Sequence, residues 1–381
     1  MKQFIKKTLR NIIFSRSDKH QKSYAEKIMK CNKIENITIE GEAAYIKAWK
    51  PLSKNIDPIY YRCFSHYAGK NPHIIPANLC VQIVEPILNP VRYRDYYSDK
   101  NIYGKMYSSE MLPKTYLRRM NGIYMDEEYN VLQTIDAQQL FELLKGVEKF
   151  IIKPSIDSES GRGVSLYRQT DRQTDRQTEY IDQDGTLFSL ENVIKAYGDN
   201  FIIQACLSQS PFISQFNFSS INTIRMVAYR SVTDNTVHIT NAILRIGAAK
   251  AVVDNAHAGG KFVGINDDGS LGKYACDFLG RKSDSFNCID FSKNQFIIPN
   301  YDLIKEFGKK VANEIPHHRL IALDIALDEN NTPSLIEYNV GGFGYWLFQF
   351  VGQNIFNDRM PEVIEYCAAR NGKQTFALLK I

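Results

Sequence analysis

The sequence predicts an α+β protein of two or more packed lobes. Three observations predict it. The chain has 381 residues, long enough for two or three lobes at about 150 residues each. Apolar runs of strand length recur at 150–154, 201–207, 239–244 and 321–327, bounded by Gly, Ser, Pro and Asn. Two of these runs turn back on themselves through polar linkers, at 150–167 and 321–339, as hairpins do. Composition agrees: 44% hydrophobic and 23% charged residues exclude a mainly disordered chain. No apolar run approaches the length of a membrane-crossing helix. The net charge of +5 is too small to argue for nucleic acid. Seven scattered cysteines without a C-x-x-C pair fit a reducing cytoplasm rather than a disulfide or zinc framework.

Residues 1–24 read as a basic amphipathic helix. Lys2, Lys6, Lys7, Arg10, Arg16, Lys19 and Lys22 face only Asp18 within the first 22 residues, and Ile5, Leu9, Ile12 and Ile13 recur at helical spacing. Such a helix either packs on its own domain or lies on an anionic membrane surface, here the inner face. The basic residues concentrate at this terminus, so no nucleic-acid groove is expected. Residues 25–145 form a Tyr-rich region ending in a helix over Ala137–Leu144. Tyrosines 93, 96, 97, 103 and 107 either stack on a sugar or fill a core. The pair His317 and His318 reads as exposed at a helix end.

A first lobe is expected over 146–207. Phe150–Lys153 is a strand that Pro154 ends, and Val164–Tyr167 is the returning strand. Between them Ser158, Ser160, Gly161, Arg162 and Gly163 make a small-residue loop whose N–H groups can approach phosphate oxygens. With Lys153 at the strand end this fits a nucleotide-phosphate clamp; alone, it fits a surface hairpin equally. The Walker pattern is absent. Residues 168–179 repeat Arg-Gln-Thr-Asp/Glu, which has no apolar face and belongs in a solvated loop or hairpin tip. Thr-Asp-Arg-Gln can be encoded by a repeated ACAG tetranucleotide, which would make the tract a slippage switch for phase variation; the alternative is a neutral duplication. Phe201–Leu207 is a buried strand running into a linker, where Gln204, Ala205, Cys206 and Leu207 could meet an adenine edge.

The second lobe is expected over 208–360, with a C-terminal helix or tail at 361–381. Over Asn222–Arg230 the alternation sets Asn222, Ile224, Met226 and Ala228 on one side and Thr223, Arg225, Val227 and Tyr229 on the other. Arg245 ends the strand at 239–244. Inward-facing arginines need anions, and a phosphate or carboxylate fork suits them; surface ion pairs are the alternative. In Ile321–Leu327 and Ser334–Asn339, Glu337 and Asn339 share a side and the hairpin can bring Asp324 beside them. A buried Asp324 needs a cation or a partner. Two carboxylates and an amide oxygen suit Mg²⁺ bridging nucleotide phosphates. Gly341, Gly342 and Gly344 follow as a close-approach loop.

In this order the segments resemble the ATP-grasp superfamily, over roughly residues 95–345. Asp99-Lys100 resembles its upstream Asp-Lys element, Lys153-Pro154 with Ser160–Val164 its strand-end lysine and phosphate lid, and Gln204–Leu207 its adenine hinge, where many members carry Glu. Asp324, Glu337 and Asn339 resemble its metal ligands, at spacings of 13 and 2 residues. Phe216–Arg225 and Val253–Gly260 resemble the sugar-transfer-associated branch, in which Asn222, Arg225 and Asn255 sit at the site. Ala322 departs from amino-acid ligases that carry Arg two residues before the metal Asp.

The resemblance implies an ATP-grasp fold with a nucleotide between two α+β lobes, an N-terminal α/β region, and ATP and Mg²⁺ as cofactors. It implies a carboxylate–amine ligase acting through an acyl phosphate, with an amino acid and a sugar as substrates and a capsule or lipopolysaccharide as destination. Lys100 and Lys153 would hold the α/β-phosphates, and Arg225 or Arg245 the γ-phosphate. His257 is the candidate base. The alternatives are a phosphotransferase on a sugar and a non-catalytic ATP-binding partner of a glycosyltransferase complex.

Overall fold

The structure, a computed structural model, describes residues 2–156, 163–174, 177–249 and 259–372. Two antiparallel sheets of seven strands organise it. The first comprises β1 (Thr115–Met120), β2 (Ile123–Met125), β3 (Val131–Leu132), β4 (Lys149–Pro154), β5 (Ser165–Thr174), β6 (Gln177–Ile181) and β7 (Phe201–Ala205), in the order β3-β2-β1-β7-β4-β5-β6. The second comprises β8 (Thr223–Arg230), β9 (Val237–Ile246), β10 (Lys261–Ile265), β11 (Leu271–Cys276), β12 (Lys282–Ser283), β15 (Leu320–Leu327) and β16 (Pro333–Asn339), in the order β12-β11-β10-β9-β8-β15-β16. A small hairpin of β13 (Ser285–Phe286) and β14 (Ile289–Asp290) lies apart from both sheets.

The first lobe starts earlier than the expected boundary at residue 146. Strand β1 pairs with β7 through Leu117↔Ile203 and Arg118↔Ile202, so residues 115–132 belong to its sheet. Two adjacent arginines in β1, Arg118 and Arg119, hide its strand pattern, because neither face then reads as a clean alternation. The lobe's core is Leu117, Phe150, Ile152, Tyr167, Tyr180, Phe188 and Ile203. The Arg-Gln-Thr repeat lies in the hairpin of β5 and β6, where Thr174 pairs with Gln177.

The second sheet is covered on both faces. Ile224, Met226 and Leu323 pack one face against the helix Tyr301–Asn313. Val227, Tyr229, Ile243 and Ala322 face the other way, against the helices of the N-terminal region and Tyr345–Phe350. The period-two alternation of a strand produces this division directly. Tyr97, Tyr103 and Tyr107 are buried in the first of these cores, whereas Tyr96 stays exposed. Core packing, not a sugar platform, is therefore what three of the five clustered tyrosines do.

Among the described residues 2–111 are helical where they are regular. The first helix runs Lys2–Cys31, beyond the expected end at residue 24. Its second half is docked. Ala25, Ile28 and Met29 are buried, Tyr24 Oη donates to Phe278 O, and Asp18 accepts from Asn78 and Gln82 at 3.0 and 2.8 Å. Ile12, further toward the start, is 46% exposed. No described helix is long and apolar enough to cross a membrane. His318 is buried, not exposed; burial pushes its imidazole down to about 4.

Candidate functional site

The site is one strip of the second sheet plus two lysines, one from the first sheet and one from the helical turn ahead of it. In the β15–β16 hairpin Asp324 pairs directly with Glu337 and Ala322 with Asn339. Directly opposed residues share a face, and Asn339 lies two positions beyond Glu337. The three side chains therefore emerge together. On the other flank of β15, Arg225 of β8 is the partner of Asp324. Arg245 of β9 sits opposite Thr223, two residues from Arg225, on the same side again. Register alone thus gathers Arg245, Arg225, Asp324, Glu337 and Asn339.

Asp324 is 1% exposed, and both of its oxygens are engaged. Arg225 donates from Nε to Oδ1 at 2.8 Å and from Nη2 to Oδ2 at 2.6 Å. Arg245 Nη1 donates to Oδ2 at 3.1 Å. Burial acts to raise the Asp324 carboxyl, but the two guanidinium groups outweigh it and hold it below the usual carboxylate range. Glu337 is half-buried, and Lys100 Nζ stands 3.3 Å from its Oε2. Lys153 is buried, and its Nζ donates to Ile336 O at 3.4 Å.

Lys153 reaches this strip from the first lobe, and Lys100 from the helical turn Lys100–Ile102 ahead of that lobe's sheet. Lys153 ends the apolar part of β4, and Lys100 N donates to Ser155 O at 2.9 Å, one turn of chain further on. Asp99 fixes that turn by accepting from Asn101 N at 2.9 Å. Burial, helped by the charge of Lys100, pushes the Lys153 ammonium from 10.5 down to about 8, while Glu337 opposes the shift. The charge of Lys153 is therefore lost as pH rises through about 8. Nucleotide affinity of the free protein is expected to fall above that pH, and Lys153→Arg, whose charge persists, to flatten the profile; titration with Mg·ADP from pH 6 to 10 measures it. The unfolded chain keeps this proton up to about 10.5, so conformational stability should rise between those limits.

At the hinge, Gln204 is buried between β1 and β4, opposite Thr115 and Ile151. Its Nε2 donates to Thr115 Oγ1 at 3.2 Å, and its Oε1 is buried without a partner. Ala205 N donates to Lys114 O at 2.8 Å, and Cys206 and Leu207 are half-buried beyond the strand. Gly163, with φ +74°, lies against Pro154, where a Cβ would come 3.0 Å from Pro154 Cγ. Ser160, Gly161, Arg162, Asn255 and His257 lie outside the described residues.

Asn222 has another occupation than contact with a ligand. It is 1% exposed, and its amide donates to Asn217 O at 2.7 Å, Ile213 O at 3.2 Å and Gln209 Oε1 at 3.2 Å. Its Oδ1 accepts from Gly247 N at 3.3 Å. With both ends used, it braces the start of β8 against the end of β9, just below the two arginines.

Three residues ahead of the first strand support the strip and escaped the sequence reading. Asn89 donates to Leu320 O and Val340 O at 2.5 and 2.9 Å and accepts from Arg319 N and Leu320 N, both at 3.0 Å. It ties one end of β15 to the end of β16. Four residues earlier, on the same helix face, buried Glu85 accepts from Gly342 N at 2.7 Å and from Arg94 Nη2 at 3.0 Å. Burial pushes the Glu85 carboxyl up, and Arg94 opposes. Arg94 lies flat against Gly341, where a Cβ would come within 2.7 Å of its Nη1. Gly344, with φ +77°, passes Arg225. The glycine loop is thus held between two arginines. Asn89→Ala strands buried backbone groups and should cost about 2–3 kcal/mol, read as a lower midpoint in urea unfolding. The only signal in the sequence was a Glu and an Asn four apart in the run Val81–Pro90, whose one other polar residue is Gln82.

In donor chemistry the strip fits a divalent cation: two carboxylates and a carboxamide, all oxygen donors, on one face. Asn339 Nδ2 is buried without a protein partner; as a donor it suits an acceptor such as a phosphate oxygen, while Oδ1 is the atom that would face a cation. Asp324 would have to exchange guanidinium contacts for the metal.

The profile of a family described as sugar-transfer associated ATP-grasp matches residues 85–364. No curated protein matches the sequence. Among solved structures, the chain is similar to the ATP-grasp ligase PsnB, in complex with a phosphomimetic variant of its minimal precursor, Mg and ADP. Identity is 11%, with 74% of this chain and 61% of that chain covered and a TM-score of 0.39. It is also similar to an ADP complex of purK, N5-carboxyaminoimidazole ribonucleotide synthetase, at 11% identity, 68% and 50% coverage and a TM-score of 0.36. The D-alanine-D-alanine ligase from Coxiella burnetii follows at 9% identity, 73% and 59% coverage and a TM-score of 0.37. The chain spans 50% to 61% of the length of these three structures.

Proposed function

This chain belongs to the sugar-transfer associated ATP-grasp family, and from that premise we propose that it is an ATP- and Mg²⁺-dependent carboxylate–amine ligase. Its product is an amide on a bacterial surface polysaccharide, a capsule or lipopolysaccharide, or on a precursor of one. A single observation carries the reading. Arg245, Arg225, Asp324, Glu337 and Asn339 share one sheet face, and Lys153 of the first lobe and Lys100 of the turn ahead of its sheet stand against it.

Asp324, Glu337 and Asn339 would hold Mg²⁺, which supplies charge neutralisation across the nucleotide phosphates. Lys153 of the first lobe and Lys100 of the turn ahead of its sheet hold phosphate oxygens. Arg225 and Arg245 face the phosphoryl group in transfer. A substrate carboxylate oxygen attacks the γ-phosphorus and ADP leaves, giving an acyl phosphate. An amine then attacks the acyl carbon, inorganic phosphate leaves, and the amine proton passes to a base, for which His257 is the candidate. The protein's share is positioning and charge complementarity. Gln204, with its unpartnered acceptor, serves the adenine amine, and Ala205 to Leu207 line the same edge. On the family resemblance, Ser160, Gly161, Arg162 and Gly163 would exclude water from the phosphates and Asn255 would contact the nucleotide.

Incubation with ATP, Mg²⁺ and pooled amino acids and uronic-acid sugars tests the reading. Pool-dependent ADP and free phosphate support a ligase. ADP with a phosphorylated sugar and no free phosphate indicates a phosphotransferase. Nucleotide binding without turnover, in the presence of glycan acceptors, indicates a non-catalytic partner of a glycosyltransferase.

The basic start of the Lys2–Cys31 helix places the enzyme at the inner face of the membrane, near glycan precursors. Each Lys or Arg near an anionic surface contributes about 1 kcal/mol. Co-sedimentation with phosphatidylserine vesicles should therefore be strong at low salt, weak at 0.5 M salt, and lost when Lys2, Lys6, Lys7 and Arg10 are replaced by Gln. The Arg-Gln-Thr tract adds phase-variable expression to this reading; a gene without an ACAG tract removes it.

A further inference from the structure

The turn between β2 and β3 holds a tyrosine in a conformation that tyrosine disfavours. Tyr129 has a φ of +68°. There Cβ crowds the backbone, so bulky side chains are rare in this region. Asp126 closes the turn, accepting from Asn130 N at 2.8 Å and Asn130 Nδ2 at 2.9 Å, while Asp126 N donates to Asn130 O at 3.2 Å. Strain of this kind persists only where other contacts over-determine it.

Those contacts lie beside Lys100. Tyr129 Oη donates to Asn101 O at 2.5 Å, and the N–H groups of Gly104 and Lys105 point at the same oxygen. Gly104 makes room for this: a Cβ there would come 2.9 Å from Tyr129 Oη and 2.7 Å from Arg118 Nη2. Two cations rest on the ring, with Lys105 Nζ 4.2 Å and Arg118 Cζ 4.3 Å from its centroid. Arg118 is buried and donates from Nη2 to Glu127 O at 3.4 Å, which ties the turn back to β1. Asn101 is buried too, and its Nδ2 donates to Arg119 O at 3.0 Å and Phe201 O at 3.4 Å. The sheet thus grips Asn101 by its side chain and Tyr129 grips it by its carbonyl. Its neighbour in the chain is Lys100. A lysine stem is flexible, so the place its ammonium can reach is set by where its backbone is held.

We propose that Tyr129 is a positioning residue for Lys100: its hydroxyl, presented by a strained turn toward the edge of the first sheet, fixes the backbone from which the Lys100 ammonium meets phosphate. This role rests on the assignment of Lys100 to nucleotide phosphate above. Tyr129 acts through Asn101 O rather than on the nucleotide. The outer hairpin of β2 and β3 thereby contributes to the site, although its strands lie two and three places from β4, which carries Lys153.

The test is calorimetric titration of the full chain with Mg·ADP, beside a urea unfolding curve for each variant. Tyr129→Phe keeps the ring and both cation contacts and loses only the hydroxyl. Its Mg·ADP affinity should fall about 10-fold, the scale of one weakened hydrogen bond to a charged group. In the Lys100→Ala background the same replacement should change affinity by less than about 2-fold, because the group it positions has gone. A merely structural tyrosine would lower the unfolding midpoint and leave the affinity of the folded protein alone. Tyr129→Gly suits the left-handed turn and should repeat the loss, so a Phe variant that folds poorly does not end the test. Unchanged Mg·ADP affinity in folded Tyr129→Phe and Tyr129→Gly overturns the proposal alone. So does an equal loss with and without Lys100. Absence of Mg·ADP binding to the unmodified protein, or equal binding by it and Lys100→Ala, overturns the phosphate assignment and the role of Tyr129 with it.

Discussion

Glu337→Gln should abolish most turnover while leaving the fold nearly unchanged. Glu337 sits in β16, half-buried, and pairs with Lys100 at 3.3 Å. A Gln side chain is nearly the same size and can still accept from Lys100. The loss on folding is that of one partly solvated ion pair, about 0.2–1 kcal/mol. The chemical loss is of another order. A carboxylate that holds the cation across the phosphates acts where charge is being redistributed, and removing one such stabilising group typically costs about 10²–10³-fold in rate. Steady-state ADP release beside a urea unfolding curve separates the two effects. Unchanged ADP release in a folded variant would sink the assignment of Glu337 to the metal.

Four strands of the second sheet, β8, β9, β15 and β16, were legible because each carries its own pattern, whereas β10, β11 and β12 were not read from the sequence. Asp324, Glu337 and Asn339 fall within one hairpin, so a turn and a period of two suffice to place them on one face. The partners of Asp324 were not legible. Arg225 precedes it by 99 positions and Arg245 by 79, and which strand lies beside β15 is decided by non-local packing. Both arginines were assigned to an anion, but nothing local identifies that anion as a carboxylate of this chain. The clustered tyrosines failed as a signal for a related reason. Aromatic residues suit a core and a sugar equally well, and only the stack of Tyr103 on Tyr338, at 4.6 Å, shows which environment Tyr103 occupies. Asn89 and Glu85 were hidden because their partners are backbone groups of β15 and of the glycine loop, which no side-chain pattern records.

Asp324 should behave unlike Glu337, although both are assigned to the same cation. Its carboxylate is the anion that two largely buried guanidinium groups share. Asp324→Ala removes the anion that both arginines share and leaves a small cavity. Breaking a buried pair by deleting one partner costs about 3–5 kcal/mol, a large part of the stability of an ordinary domain. The expected result is a marked fall in the unfolding midpoint, in addition to loss of turnover. Asp324→Asn should fall between, because the amide keeps the volume and one acceptor but not the charge. Double replacement then discriminates. If the arginines are costly only because their counter-ion has gone, Arg225→Met together with Asp324→Ala should be more stable than Asp324→Ala alone. Turnover should stay absent in both. Equal unfolding midpoints for Asp324→Ala and Glu337→Gln would show that the Asp324 pairs contribute no more to the fold than one half-exposed contact, against the geometry of the strip.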